Sequence, residues 1–253
     1  MIRYDLKGRT ALVTGGATGI GFATAAMLGR NGARVAINFL SDDARGPAAL
    51  AELKAAGIEA LAAPGDVASP TDAPRMVAGA VGALGRLDLL VANAGTPGTR
   101  RKIEPAELDR ITEELWNTVL QVNLVGVFRC AKAAAPALKA ARGAIVSTAS
   151  IAGLGTPGSS LAYGASKAGV INLTQNLARA LAPEVRVNAV APGAVDSSWM
   201  VEWTAEQRRE SIERAQLKRR CTPDDIAEVI VFLGFGAAMV TGQTVVVDGG
   251  LTL

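Results

Sequence analysis

Along this chain, short apolar runs alternate with longer stretches in which apolar positions recur every three or four residues. Thr10-Ala11-Leu12-Val13 is a compact apolar run that stops at Gly15-Gly16. Beyond it, Ile20, Ala23, Met27 and Leu28 recur at helical spacing, predicting a helix over 20–31 that ends at Gly32. The alternation continues with strands expected over 33–39, 58–63, 87–92, 144–148, 185–190 and 244–247. Helices are expected over 43–56, 70–84, 115–140, 161–181, 204–216 and 223–233. Pro136 lies inside the longest of these and is expected to kink or shorten it. Strands joined by helical crossovers imply an α/β fold: a single doubly wound Rossmann-type domain over 1–253, with a seven-stranded parallel sheet and helices on both faces.

Composition supports this picture. Of 253 residues, 49% are hydrophobic and only 4% aromatic, so the core must be built from Ala, Val, Leu and Ile. The net charge is +3, from 26 basic and 23 acidic residues, too balanced for nucleic-acid binding on charge alone. The clusters Arg100-Arg101-Lys102 and Lys218-Arg219-Arg220 read as solvated faces. Cys130 and Cys221 form no CxxC motif, so neither a disulfide framework nor a zinc site is supported. The absence of histidine excludes Ser-His-Asp hydrolysis and His-ligated metals. No signal-peptide pattern or membrane-length apolar run is present, and a cytoplasmic protein is expected.

The chemistry-bearing residues fall where a parallel sheet would gather them. Thr14-Gly15-Gly16-Ala17-Thr18-Gly19-Ile20-Gly21 lies between the first strand and the first helix. There, glycines permit a sharp turn and close approach to a pyrophosphate, and the helix N-terminus offers free N–H groups. At the end of the second strand, Asn38-Phe39-Leu40-Ser41 has no carboxylate before Asp42 to bind the ribose 2′-hydroxyl of NAD. The reading therefore leans to NADP(H) over NAD, although no Arg stands close by in sequence to bind a 2′-phosphate, Arg34 and Arg45 being the nearest candidates.

Tyr163 and Lys167 are four residues apart and share one helical face. A tyrosine with a reference pKa near 10 needs an adjacent ammonium to act as acid or base near neutrality. Lys167 is expected to supply that charge and to hold a ribose hydroxyl. Ser150 follows the strand 144–148, at the sheet edge where ligands bind, and is placed to hold a substrate oxygen. Asn123, a poor helix-interior residue, is expected to kink the long helix and hold a water that relays protons to Lys167.

Taken together, these residues resemble the short-chain dehydrogenase/reductase family from Gly8 to Gly250. The resemblance rests on the Thr14–Gly21 turn, Asp66-Val67, Asn93-Ala94-Gly95, Asn123, Ser150, Tyr163 with Lys167, Pro192-Gly193, and the ending Thr241-Gly242-Gln243 to Asp248-Gly249-Gly250. It implies that Asn123, Ser150, Tyr163 and Lys167 form a catalytic tetrad. It also implies that Asp66 and Val67 contact adenine, and that Asn93, Ala94 and Gly95 line the cofactor cleft. Pro192, Gly193 and Val195 would hold the nicotinamide carboxamide, and Ser197 stands where the family has Thr. The family is usually tetrameric, so a homotetramer is expected, with 115–140 and 161–181 at one interface. Thr18 and Leu40 stand where NADP-dependent relatives often carry cations, and both weaken the NADP(H) reading.

The implied activity is hydride transfer between a nicotinamide and a ketone or secondary alcohol, as a 3-oxoacyl thioester reductase or a sugar, polyol or alcohol dehydrogenase. A non-catalytic cofactor-binding scaffold or sensor is the alternative. A nucleotide-sugar epimerase is disfavoured because the chain has no room for a further substrate domain. The segment 196–220 is expected to cover the substrate, with Trp199, Met200 and Trp203 as an apolar lid, and no charged substrate anchor stands out in it.

Overall fold

A computed structural model describes residues 4–197 and 203–253, so Trp199 and Met200 lie outside the described residues. The first half runs β1 (Thr10–Val13), α1 (Gly19–Arg30), β2 (Arg34–Phe39), α2 (Arg45–Ala55), β3 (Ala60–Pro64), α3 (Asp72–Leu84) and β4 (Leu89–Ala92). The second half runs α4 (Glu113–Leu120), α5 (Gly126–Ala141), β5 (Ala144–Thr148), α6 (Leu161–Leu181), β6 (Arg186–Pro192), α7 (Ala205–Arg214), α8 (Pro223–Val231) and β7 (Thr244–Val247). The seven strands are all parallel and lie in the order β3-β2-β1-β4-β5-β6-β7. Strand order reverses between β1 and β4, and the carboxyl ends of those two strands open a crevice there.

Alternation along each strand divides the core into two layers. On β1, Ala11 and Val13 pack with α1 and α8, while Leu12 packs with residues of α3 and α5 on the opposite face. Both faces are dry, which is why the strands read as continuous apolar runs rather than alternating ones.

The long helix expected over 115–140 is not one helix. It breaks into a π turn at Gln121–Val125, between α4 and α5. The break is not at Pro136, which sits within α5 on its exposed face. The Lys132 carbonyl that the proline leaves without a donor is therefore turned to water, and the helix continues. The break instead surrounds Asn123, whose buried amide bonds to the Thr96 backbone. At the end of α8 a second π turn, Phe232–Gly236, is closed by Arg186, whose guanidinium donates to the carbonyls of Leu233, Gly234 and Ala237.

At the amino ends of β1 and β4, opposite the crevice, Asp88 acts as a staple. It is 3% exposed and accepts from Thr10 N at 3.0 Å, Arg9 Nη1 at 2.9 Å and Arg86 Nη2 at 2.6 Å. Burial by itself would raise its carboxyl, but Arg86, Arg9 and the Thr10 N–H outweigh burial and hold it below the ordinary value. A depressed carboxyl contributes stability that is fully present above the ordinary carboxylate range and is lost as pH falls through the folded-state value. Asp88→Asn is expected to cost about 2 kcal/mol at pH 7. In urea unfolding, the gap between variant and wild type should close on acidification towards pH 3; a gap independent of pH would contradict this role.

Candidate active site

The crevice is the mouth of a cleft of about 1630 Å³ that runs from the β1–α1 turn to α7. Its phosphate end is built from glycine geometry. Gly15 (φ +61°) lies so close to the next strand's exit that a Cβ there would sit 2.9 Å from the Ala94 Cα. A Cβ on Gly21 would sit 2.2 Å from the Gly15 carbonyl oxygen, so only glycine lets α1 start this close to the turn. Gly19 (φ +53°) faces open space bounded by the Ser197 side chain. Thr18 caps α1 without using its side chain, and no carboxylate occupies the first turn. The first N–H groups of α1 are thus open to the cleft, an arrangement that fits a pyrophosphate.

Thr14 and Asn93 lock this turn to β4. The Thr14 hydroxyl accepts from Asn93 N at 2.9 Å and Ala94 N at 3.0 Å, and the Asn93 amide donates to the Thr14 carbonyl at 3.1 Å. The Asn93 carbonyl oxygen accepts from the Thr148 hydroxyl at 3.1 Å, carrying the link on to β5. Asn38 has a similar task. Its amide donates to the carbonyls of Ala63 and Gly65, and its oxygen accepts from Gly15 N. Although it lines the cleft, its polar atoms are engaged in tying β2 to the loop after β3.

The two cations considered for a 2′-phosphate separate clearly. Arg34 lies at the start of β2, paired with Glu59 and the Leu84 carbonyl, away from the cleft. Arg45 opens α2, lines the cleft and is held by Asp43 at 2.8 Å. Asp66 and Val67 line the cleft between these elements. The Asp66 carboxylate accepts from Ala68 N, which shapes the loop. Gly95, Ile20, Pro192, Gly193, Val195 and Ser197 also line it. Gly193 must be glycine because a Cβ would meet Asp248 at 2.6 Å. Thr14, Gly21 and Asn123 do not line the cleft and act from behind its wall.

On the opposite wall, α6 begins at Ser160, whose hydroxyl caps Tyr163 N at 3.1 Å. Tyr163 is in the first turn and Lys167 one turn on, with the ammonium 5.7 Å from the Tyr163 ring centre. Lys167 is buried, and its Nζ donates to the Thr148 carbonyl at the end of β5, at 2.7 Å. Gly153 lets the Ile151–Leu154 turn close onto this stretch, since a Cβ there would meet the Lys167 carbonyl carbon at 2.6 Å. Ser150 begins that turn, its hydroxyl accepting from Ala152 N at 3.2 Å.

Burial dominates the electrostatics here. It pushes Lys167 down to about 8 and Tyr163 up to about 12, with the Ser150 hydroxyl opposing the rise at Tyr163. Tyr163 is thus raised where a lowering by Lys167 was expected: burial outweighs the Ser150 hydrogen bond, and the Lys167 ammonium donates to the Thr148 carbonyl. Asn123 has in addition a bracing role that the sequence does not suggest. Its side chain is satisfied by Thr96 N at 2.7 Å, the Thr96 carbonyl at 2.9 Å and the Ser166 hydroxyl at 3.1 Å. Ser166 in turn donates to the Tyr163 carbonyl at 2.7 Å, so Asn123 braces the first turns of α6.

Thr148 and Thr96 were not singled out from the sequence, although each stands just after or at the carboxyl end of a strand, the position that signals ligand contact in such sheets. Arg220 was read as part of a solvated face. It is buried, and it lines the cleft.

A dinucleotide cradle at the switch point of a parallel sheet, facing a tyrosine and a buried lysine one helical turn apart, defines a nicotinamide-dependent oxidoreductase. The chain belongs to the short-chain dehydrogenase/reductase family. A family model described as Enoyl-(Acyl carrier protein) reductase matches residues 15–252. The 3-oxoacyl-[acyl-carrier-protein] reductase FabG of Staphylococcus aureus (strain Mu50 / ATCC 700699) is 38% identical over 247 residues, covering 96% of this chain and 98% of the relative. A 3-oxoacyl-[acyl-carrier-protein] reductase of Synechocystis sp. is 38% identical over 253 residues, covering 98% of both chains. The crystal structure of a short chain dehydrogenase from Burkholderia cenocepacia J2315 in complex with NADP superposes with a TM-score of 0.88 at 35% identity, covering 98% of this chain and 100% of that one. The protein is an NAD(P)-dependent oxidoreductase acting on a ketone or secondary alcohol, with the seven-stranded Rossmann-type sheet expected of it.

A buried lysine with a lowered pKa is a stability liability. Below about 8 both folded and unfolded states carry the charge, and the folded state bears the desolvation cost; above 10.5 neither is charged. Wild-type stability should therefore rise between those values. Lys167→Met is expected to raise stability at pH 7 by about 1–2 kcal/mol and to flatten this rise in urea unfolding. A variant less stable than wild type at pH 7 would show that the Thr148 contact outweighs desolvation.

Proposed function

We propose that the protein is an NADP(H)-dependent reductase of 3-oxoacyl compounds, converting the ketone to a secondary alcohol. The observation that carries this reading is that Ser150, Tyr163 and Lys167 line the same cleft as the glycine cradle. The S. aureus and Synechocystis relatives, both described as 3-oxoacyl-[acyl-carrier-protein] reductases, support the substrate class. Arg45 in the cleft wall, with no carboxylate ending β2, supports the phosphorylated cofactor, as does the NADP-bound relative.

When bound, the nicotinamide supplies the hydride to the carbonyl carbon. The chain's own residues handle the oxygen. Ser150 donates a hydrogen bond to the carbonyl oxygen and fixes its position. Tyr163, its phenol pushed up to about 12, keeps its proton until charge develops on that oxygen, and then transfers it. The phenolate left behind lies beside the Lys167 ammonium, which is still largely protonated at pH 7. Asn123 acts as a positioning residue through Ser166.

Among the described residues no helix is long and apolar enough to cross a membrane. A cytoplasmic homotetramer is the assembly we favour. Support comes from the apolar groove of Leu124, Phe128 and Leu173 between the α5 and α6 faces, where Phe128 is 43% exposed.

Tyr163→Phe is expected to lower kcat for reduction of an acetoacetyl thioester by about 10²–10⁴-fold. NADPH affinity should change less than about threefold. Turnover retained in that variant would remove Tyr163 as the proton donor. Arg45→Ala should weaken NADPH binding about tenfold more than NADH binding, measured by cofactor fluorescence titration. Equal losses would place the 2′-phosphate elsewhere.

A further inference from the structure

Arg220 is the unexpected feature of the substrate end of the cleft. Its side chain is only 4% exposed, yet it lines the cavity. A bridge between Val195 and Cys221 draws this stretch in against the chain that follows β6. Arg220 Nη2 donates to the Val195 carbonyl at 2.9 Å, and the guanidinium carbon lies 4.6 Å from the centre of the Trp203 ring. Nε is 3.1 Å from an Asp196 carboxylate oxygen but is not aligned for a hydrogen bond. Nη1 has no acceptor among the described residues.

The charge is not balanced either. Asp196 is half exposed and is shared with Arg208 at 3.7 Å, so one carboxylate serves two guanidiniums. A desolvated guanidinium with an idle donor is costly unless an acceptor completes it. The surrounding wall is polar, since α7 presents Gln207, Glu210, Ser211 and Arg214 to the same space; Glu210 is paired with Arg214 at 3.9 Å, so its carboxylate is partly neutralised there. Trp203, expected in an apolar lid, is instead stacked on the cation.

We propose that Arg220 is an anion-recognising residue of the substrate pocket, and that the preferred substrate is a keto or hydroxy compound carrying a carboxylate. Trp203 fixes the plane of the guanidinium and Val195 anchors one edge, which leaves Nη1, buried and without an acceptor, as the donor that a carboxylate oxygen would complete. This assignment rests on the reductase reading above and narrows its substrate from 3-oxoacyl compounds in general to the acid form.

The test compares acetoacetate with its uncharged methyl ester, in wild type, Arg220→Met and Arg220→Lys, by NADPH-dependent reduction and by calorimetric titration of the protein. Wild type is expected to favour the acid about tenfold or more in kcat/KM. Arg220→Met should lose that preference because the acid suffers about tenfold more than the ester, and its acetoacetate binding heat should vanish. Arg220→Lys keeps the charge without the planar fork and should retain part of the preference, which decides the matter if the Met variant does not fold. Equal losses for both compounds would make Arg220 a structural bolt and overturn the proposal, as would a wild type that prefers the ester or does not bind acetoacetate. If neither compound is reduced but acetoacetate binds in an Arg220-dependent way, the subsite stands and the reductase reading fails.

Discussion

The site is organised around a single desolvated ammonium. Lys167 is held away from water on the Thr148 carbonyl, and that contact joins α6 to the end of β5. Around it the structure has limited freedom. Gly153 must lack a side chain for the preceding turn to close over the lysine, and the Thr148 hydroxyl reaches back to Asn93, which holds the glycine turn. The glycine turn and the Tyr163–Lys167 stretch are thus two ends of one hydrogen-bonded line across the carboxyl edges of β1, β4 and β5. A cost in stability at one residue is what keeps a cation poised beside the phenol.

The electrostatic design has two regimes. At the cradle, the chain leaves backbone N–H groups open and keeps carboxylates out of the first turn of α1, so an anionic ligand meets partial positive charge without repulsion. Near Tyr163, burial acts in the other direction and disfavours charge on both the phenol and the ammonium. A tyrosine that resists ionisation is suited to donating its proton only when a developing oxyanion calls for it. Further out, Arg220 carries a charge that the protein only partly neutralises.

Much of this was legible in the sequence. β5, α6 and β7 fall at the expected residues because each is an apolar run or amphipathic stretch with clear stops. The glycine turn and the Tyr163–Lys167 spacing were readable because they are local. What escaped depends on contacts between distant residues. Arg220 looks like its neighbours Lys218 and Arg219 in sequence, and only the pairing of Cys221 with Val195 turns it inward while Arg219 goes to Asp225. The kink expected at Asn123 is present, held by the Thr96 backbone, whereas the one expected at Pro136 is not, because that residue lies on the wet face and costs little. The sign of the Tyr163 shift depends on how dry the wall is, a property of the packed cleft and not of the spacing of two residues.

The chemistry proposed for this cleft is delivery of a hydride from nicotinamide C4 to a ketone carbon, with the chain supplying the proton. The most direct measurement is the mass of the alcohol formed when NADPH deuterated at both C4 positions and an acetoacetyl compound are mixed with the enzyme in ordinary water. The expected product carries one deuterium, on the carbinol carbon. An alcohol without deuterium, or unchanged ketone with the cofactor bound, would contradict it.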